Sequence, residues 1–380
     1  MNNSEVYYRD FYWNDLNIVK EHINKLISGD KNIDYLNNFF LKTKKKFKKA
    51  FVLNCGNGHV ERAFIKGNII ESAIGIDISS ELLEQANSEK GNMDIEYIKH
   101  DINTFDFNSV DFDLLIIFAA GHHIQFLNKV FASTREVLLR NKGMVVGFDY
   151  IGPHRNQYSY KVWEKIFYYN KKLPKEFQKE LVYPHLPTML VTDPSEAIHS
   201  ELLEENLRYY FDLEFTMLGG GIAYEIISKN KSIQKINEDN NKNSTLFDKQ
   251  ILEILSWDLK ESKCDHSFNF FTSFYGFPRE NLDQNTIAKR INEENNFENN
   301  FEFGTNYYPK TFLQTFSESL IDSNIQVSHK QDYIDQCHKK LDELKINLSH
   351  KQDYIEMINK EFFIIRNPFK RIFIKRILRK

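Results

Sequence analysis

Between Lys49 and Tyr150, short apolar runs alternate with segments of helical periodicity. That alternation limits the fold more than any other feature of the chain. KAFVLN, SAIGID, IEYIKH, FDLLIIFAA and GMVVGFDY read as strands, while VERAFIK, SSELLEQAN and IQFLNKVFASTREVLL read as helices. The pattern predicts βαβ units around a buried, mostly parallel sheet flanked by helices, an α/β fold of Rossmann-like type. FDLEFTMLGG and SFNFFTSFYG predict two later strands, with a helix between them around Leu246 to Lys260.

Composition excludes several classes. The 380 residues carry 50 basic and 53 acidic side chains, a net of -3, which argues against a general nucleic-acid coat. Cys55, Cys264 and Cys337 are odd in number and far apart, so neither a disulfide framework nor a cysteine zinc site is expected, and a reducing cytosol fits. No run approaches 18 apolar residues, and the first fifteen residues lack a basic and an apolar signal region. A cytoplasmic protein is expected.

The segment AFVLNCGNGHVERAF places a strand, then Asn54, Cys55, Gly56, Asn57 and Gly58, then a helix. Glycines there let the backbone turn sharply beside the positive end of a helix and approach a ligand. A second strand ends in Asp77, 21 residues after Gly56. A carboxylate at that place either accepts hydrogen bonds from two ribose hydroxyls or caps the next helix, a task open also to Ser79 or Ser80. The third glycine of a dinucleotide fingerprint is replaced by Glu61, whose charge would repel a pyrophosphate. A cofactor with a ribose and no phosphate fits better, and S-adenosyl-L-methionine is one.

With VLNCGNGHVE, GIDIS, IKHDINTF and FDLLIIFAAGHHI in this order and spacing, the chain resembles a class I S-adenosylmethionine-dependent methyltransferase over Phe51 to Tyr150. The resemblance implies that Gly56 and Gly58 pass beside the methionine part and that Asp77 holds the ribose. It also implies that Asp101, with its neighbour Ile102, meets the adenine. Many members carry an acid before the first glycine where this chain has Asn54, which puts the hold on the methionine ammonium in doubt unless Glu61 compensates. YWN at Tyr12, HINKLISGD, IGPHRNQY and DPSEAIHS resemble a bacterial branch of these enzymes associated with surface-polysaccharide or lipopolysaccharide synthesis, over Tyr12 to Gly276. His199 stands where that branch often has Arg. The implied acceptor is a sugar-containing glycan precursor, methylated on oxygen.

Methyl transfer from a sulfonium is an in-line displacement, and a hydroxyl acceptor also has a proton to lose. Candidate groups lie beyond strands four and five. His123 and His122 are expected as general base, or else as a helix-start cap or core imidazoles; Tyr150 is a further catalytic candidate. No metal is expected, because the two histidines lack a visible third ligand nearby. Arg155 and Gln157 are candidates for binding the acceptor, with surface charge the plainer account of Arg155. DPSEAIHS reads first as a helix start capped by Asp193 or Ser195, from which His199 would face the acceptor. Trp13 and His22 belong either to a helical lid over the cofactor or, for Trp13, to the core.

From Leu313 onward, Leu320, Val327, Ile334, Leu341, Leu348, Ile355 and Phe362 recur every seven residues, and SHKQDYI occurs at Ser328 and again at Ser349. Cys337, Leu344, Ile358 and Ile365 fill the second heptad position, interrupted by Lys330 and Lys351. This predicts an α-helical coiled coil and a homo-oligomer, or one long helix folded back on the domain. Residues 361–380 carry seven basic groups and one acidic, and PFKRIFIKRILRK suits a peripheral anchor on anionic lipid or a partner-binding tail. The expected organisation is a helical cap over 1–48, a methyltransferase domain over 49–278 with a loop at 229–245, a linker over 279–310, a coiled coil over 311–366 and a basic tail over 367–380. No nucleic-acid partner is expected. The rival to an enzyme is a non-catalytic methyltransferase-like scaffold organised by the coiled coil.

Overall fold

A computed structural model describes residues 11–239 and 244–299. The expected coiled coil and basic tail lie outside the described residues.

Five parallel strands form the body of one sheet: β1 (Phe47–Leu53), β2 (Ile70–Asp77), β3 (Ile95–Lys99), β4 (Leu114–Phe118) and β5 (Met144–Tyr150). Two more, β6 (Phe211–Gly220) and β7 (Asn269–Pro278), extend it antiparallel, giving the order β3-β2-β1-β4-β5-β7-β6. The order reverses between β1 and β4, so a crevice opens there at the carboxyl ends of the strands.

Alternation along the strands sorts side chains to the two faces. Phe51 and Leu53 join Ile74, Ile76, Leu115 and Ile117 on one face, beneath helices α5 (Leu127–Arg140) and α8 (Ser200–Tyr210). Ala50 and Val52 join Ala73, Leu114 and Ile116 on the other, beneath α2 (Tyr35–Thr43), α3 (His59–Lys66) and α4 (Ser80–Glu89). The Leu114 to Ile117 run of β4 is fully enclosed, each side chain contributing roughly 1.5–3 kcal/mol. A third cluster packs the end near β6 and β7 with α1 (Asn17–Ser28), α6 (Tyr160–Lys172), α9 (Ala223–Ile227) and α11 (Ser244–Cys264).

Three expectations are corrected. Among the described residues, 13–28 form no lid over the glycine loop, and of the two readings of Trp13 the core one holds. Trp13 is buried in the third cluster, stacked on Phe271 at 5.2 Å, and α1 packs on β6 and α11, at the sheet edge away from β2 and β3. The polar stretch 229–245 contains a helix, α10 (Lys231–Asp239): Asn230 Oδ1 accepts the backbone N–H groups of Ser232 and Ile233, and Ile233 is buried. The expected linker holds α12 (Gln284–Asn299), which docks on α5 and buries Ile287. Its polar residues have specific partners. Glu294 accepts the N–H groups of Asn128 and Lys129 at 2.8 and 3.1 Å, capping the start of α5, where Phe126 supplies no side-chain cap. Arg290 bonds the Asn128 and Asn206 side chains. Among the described residues, no helix is long and apolar enough to cross a membrane.

Candidate functional site

The glycine loop after β1 turns through left-handed backbone at Asn54 (φ 43°), Gly56 (φ 55°) and Gly58 (φ 77°). A Cβ at Gly58 would strike the Tyr97 hydroxyl and the Arg62 side chain, so glycine is required there. Asn54 spends its side-chain amide on the Ala120 carbonyl at 3.2 Å, joining the β1 and β4 loops across the crevice.

Asp77 ends β2 with its carboxylate turned toward the glycine loop. One oxygen accepts the Gly56 N–H and the other the Ser79 N–H, both at 2.8 Å, and each oxygen keeps a lone pair. The helix cap is Ser79, whose hydroxyl accepts the Leu82 N–H. Next to Asp77, Ile78 is 68 % exposed, an apolar surface that a flat ring would cover. Asp101 accepts both nitrogens of Asn103, and Asn103 in turn accepts the N–H groups of Gln125 and Phe126, tying the β3 and β4 loops. Ile102 is buried in the core beneath them. Glu61, expected near the ligand, is 0 % exposed beside Gly75, Cys55 and Tyr97, and burial lifts its carboxyl to about 7. It cannot touch a cofactor unless the loop moves.

Beyond β4 and β5 the backbone is held by one carboxylate. Asp149 is fully buried and accepts the N–H groups of Ala120, Gly121, His122 and Tyr150, together with Nδ1 of His122 at 2.7 Å. The turn Gly121–His123 puts the two histidine rings 4.2 Å apart. Burial opposes a charge on His122, but Asp149, helped by Glu196 and Asp193, outweighs it and lifts the imidazole to about 9. His123 goes the other way: burial and the neighbouring His122 lower it.

The DPSEAIHS segment departs from its expected form. Helix α7 (Leu186–Thr192) ends before it, helix α8 starts only at Ser200, and residues 194–197 make turns, with Ala197 left-handed at φ 49°. Asp193 folds back on the backbone and hydroxyl of Ser195 instead of capping a helix. The Ser195 hydroxyl donates to Asp193 and so accepts from His123 Nδ1, 3.1 Å away. That leaves His123 Nε2 with its lone pair, 3.8 Å from the Glu196 carboxylate. His122 Nε2 is 3.9 Å from the same oxygen. Glu196, 73 residues downstream, is thus the third polar group that the sequence did not reveal. The signal for Asp149 was present: an acid in the apolar run GMVVGFDY.

Arg155 and Gln157, expected to bind the acceptor, are engaged with backbone carbonyls. Buried Arg155 donates its backbone N–H to Ala197 and its guanidinium to the Pro194 and Glu196 carbonyls; Gln157 bonds the Arg155 and Pro184 carbonyls. Arg155 thereby holds the 193–199 segment in place. Tyr150 is buried with its hydroxyl toward Pro153, and burial raises it well above the ordinary range, which disfavours it as a base. His199 is also buried, beside His154, whose proton affinity burial lowers to about 3.

Residues 52–143 match a family model described as a methyltransferase domain. No curated protein matches the chain. Among solved structures, phosphoethanolamine N-methyltransferase 2 of Haemonchus contortus, in complex with S-adenosyl-L-methionine, is 15% identical at a TM-score of 0.39. The likeness covers 69% of this chain and 57% of that one, so the chain spans little more than half of that relative. The PH0226 protein of Pyrococcus horikoshii is 14% identical over 63% of this chain and 86% of that one, TM-score 0.35. The plantazolicin methyltransferase BpumL, with a monoazolic desmethyl analogue and SAH, is 14% identical over 70% and 87%, TM-score 0.36.

The segment 52–143 is therefore a methyltransferase domain, an enzyme domain whose cofactor is S-adenosyl-L-methionine. The residues present fit that cofactor. Asp77 has lone pairs for both ribose hydroxyls, and Ile78 offers an uncovered apolar face.

Proposed function

We propose that the protein transfers a methyl group from S-adenosyl-L-methionine to a hydroxyl of a sugar-containing precursor of a bacterial surface glycan, with His123 as general base. The observation that carries this reading is the placement of two adjacent imidazoles: Asp149 Oδ1 lies 2.7 Å from His122 Nδ1, while Ser195 on His123 Nδ1 leaves His123 Nε2 toward Glu196, and burial with the neighbouring His122 lowers the proton affinity of His123.

The bound cofactor supplies an electrophilic methyl group on a sulfonium. Asp77 orients the ribose and the Gly56–Gly58 turn admits the methionine part. Asp149 fixes the turn that carries both histidines. Ser195, backed by Asp193, holds His123 in the tautomer whose Nε2 is free. With the cofactor bound, the methyl carbon would leave sulfur for the acceptor oxygen, giving S-adenosylhomocysteine; His123 Nε2 would take the hydroxyl proton, and Glu196 would stabilise the resulting imidazolium. Support for a sugar acceptor comes from the resemblance of Tyr12 to Gly276 to the polysaccharide-associated branch. The heptad seam supports a homo-oligomer, and the basic C-terminal segment supports peripheral contact with the inner membrane face.

His123→Ala tests the base. Affinity for the cofactor should stay within about twofold, while turnover of the hydroxyl acceptor should fall roughly 10²–10⁴-fold. Unchanged turnover would remove His123 from the mechanism. Mass spectrometry of surface glycan from a deletion strain should show the loss of one methyl group.

A further inference from the structure

A second cluster of potential ligand atoms lies beside the proton site and takes no part in it. His154, in the turn after β5, His199, just before α8, and Glu201, in its first turn, bring one ligand atom each to within 4.8 Å of one another. His154 Nδ1 stands 3.7 Å from Glu201 Oε1, and the two imidazole rings are 5.9 Å apart, tilted by 34°. The histidines are buried, and the Glu201 side chain is 37% exposed, so the cluster opens to solvent through its carboxylate.

We propose that His154, His199 and Glu201 bind a divalent transition-metal cation of the zinc or cobalt kind. Two imidazole nitrogens and one carboxylate oxygen suit a borderline cation, and three protein ligands leave a fourth position for water or an acceptor oxygen. Ligand bonds of about 2.1 Å place neighbouring donors roughly 3.4 Å apart in a tetrahedral site, so the widest gap closes by little more than an ångström. The ring of His154 also bonds the backbone of Ile198, the kind of outer contact that fixes a ligating imidazole.

The backbone around the cluster is already strained into place. Arg155, Asn156 and Ala197 are left-handed non-glycine residues, and the Arg155 N–H bonds the Ala197 carbonyl at 2.7 Å. The cation would fasten the 193–199 segment to the β5 loop. That segment carries Asp193, Ser195 and Glu196, the groups that surround His123. The other convergent set, His122, His123 and Glu196, consists of the groups already assigned to proton transfer.

Cobalt(II) is the probe. Metal-stripped full-length protein titrated with cobalt should bind one equivalent and develop visible d–d absorption. Glu201→Gln should weaken binding at least tenfold while leaving cofactor binding, measured by calorimetry, unchanged, which shows the variant folded. Glu196→Gln should leave cobalt binding within about twofold. His199→Ala should lose the absorption, and Glu201→Gln decides the matter if that buried variant fails to fold. Absence of cobalt binding by the wild type, full binding by Glu201→Gln, or loss of binding in Glu196→Gln would each overturn the proposal.

Discussion

His122 Nδ1 lies 2.7 Å from Asp149 Oδ1, across the boundary between β4 and β5. The same carboxylate accepts four backbone N–H groups, so one acid shapes the turn and holds the proton on the ring it carries. Each unpaired buried donor costs about 1–3 kcal/mol. Asp149→Ala should therefore lose at least about 3 kcal/mol in urea unfolding, and a loss below 1 kcal/mol would contradict this role.

Folded His122 binds its proton more tightly than the unfolded chain does, since its pKa rises from 6.5 to about 9. The stability it contributes is complete below pH 6.5 and disappears as pH rises through about 9. Wild-type protein should lose more stability between pH 6.5 and 9 than His122→Asn. Parallel pH profiles from chemical denaturation would count against the raised value.

Glu61 tests whether a residue of the glycine-loop helix meets the cofactor or only fills the core. Burial raises its pKa from 4.5 to about 7, so its neutral form is favoured below pH 4.5 and that advantage is lost as pH climbs through 7. Glu61→Gln should stabilise the protein at pH 8 more than at pH 5 and leave cofactor affinity within about threefold. A tenfold loss of affinity in calorimetry would place Glu61 at the ligand.

Asp77→Ala should weaken cofactor binding by the loss of charge-assisted ribose bonds, about 1.5–3 kcal/mol each. Calorimetry with the intact protein and the variant gives the comparison, and equal affinities would refute the ribose contact.

Because α12 buries Ile287 and caps α5 through Glu294, the folded unit extends to Asn299. A chain ending at Asn299 should be monomeric by light scattering and the full chain oligomeric. An oligomeric short chain would remove the heptad segment from the assembly.

The sheet, the glycine loop and Asp77 were legible in the sequence because each is set by local spacing: a two-residue period, a helical period, and an acid at the end of an apolar run. The distinction between Asp77 and Ser79 as helix cap was not, because both residues can accept an N–H and only the fold shows which one does. Tertiary structure alone gathered the polar groups around His122 and His123. Asp149, Ser195 and Glu196 reach the histidines over separations of up to 74 residues, and no periodicity encodes such a meeting. It also reversed the reading of the polar stretches. Few aliphatic side chains suggested loops at 229–245 and 279–310, yet Asn230 caps a helix in the first stretch, and Glu294, on a helix in the second, caps the start of α5. Glu294 finds its partners 165 and 166 residues away, at a helix start that has no cap of its own.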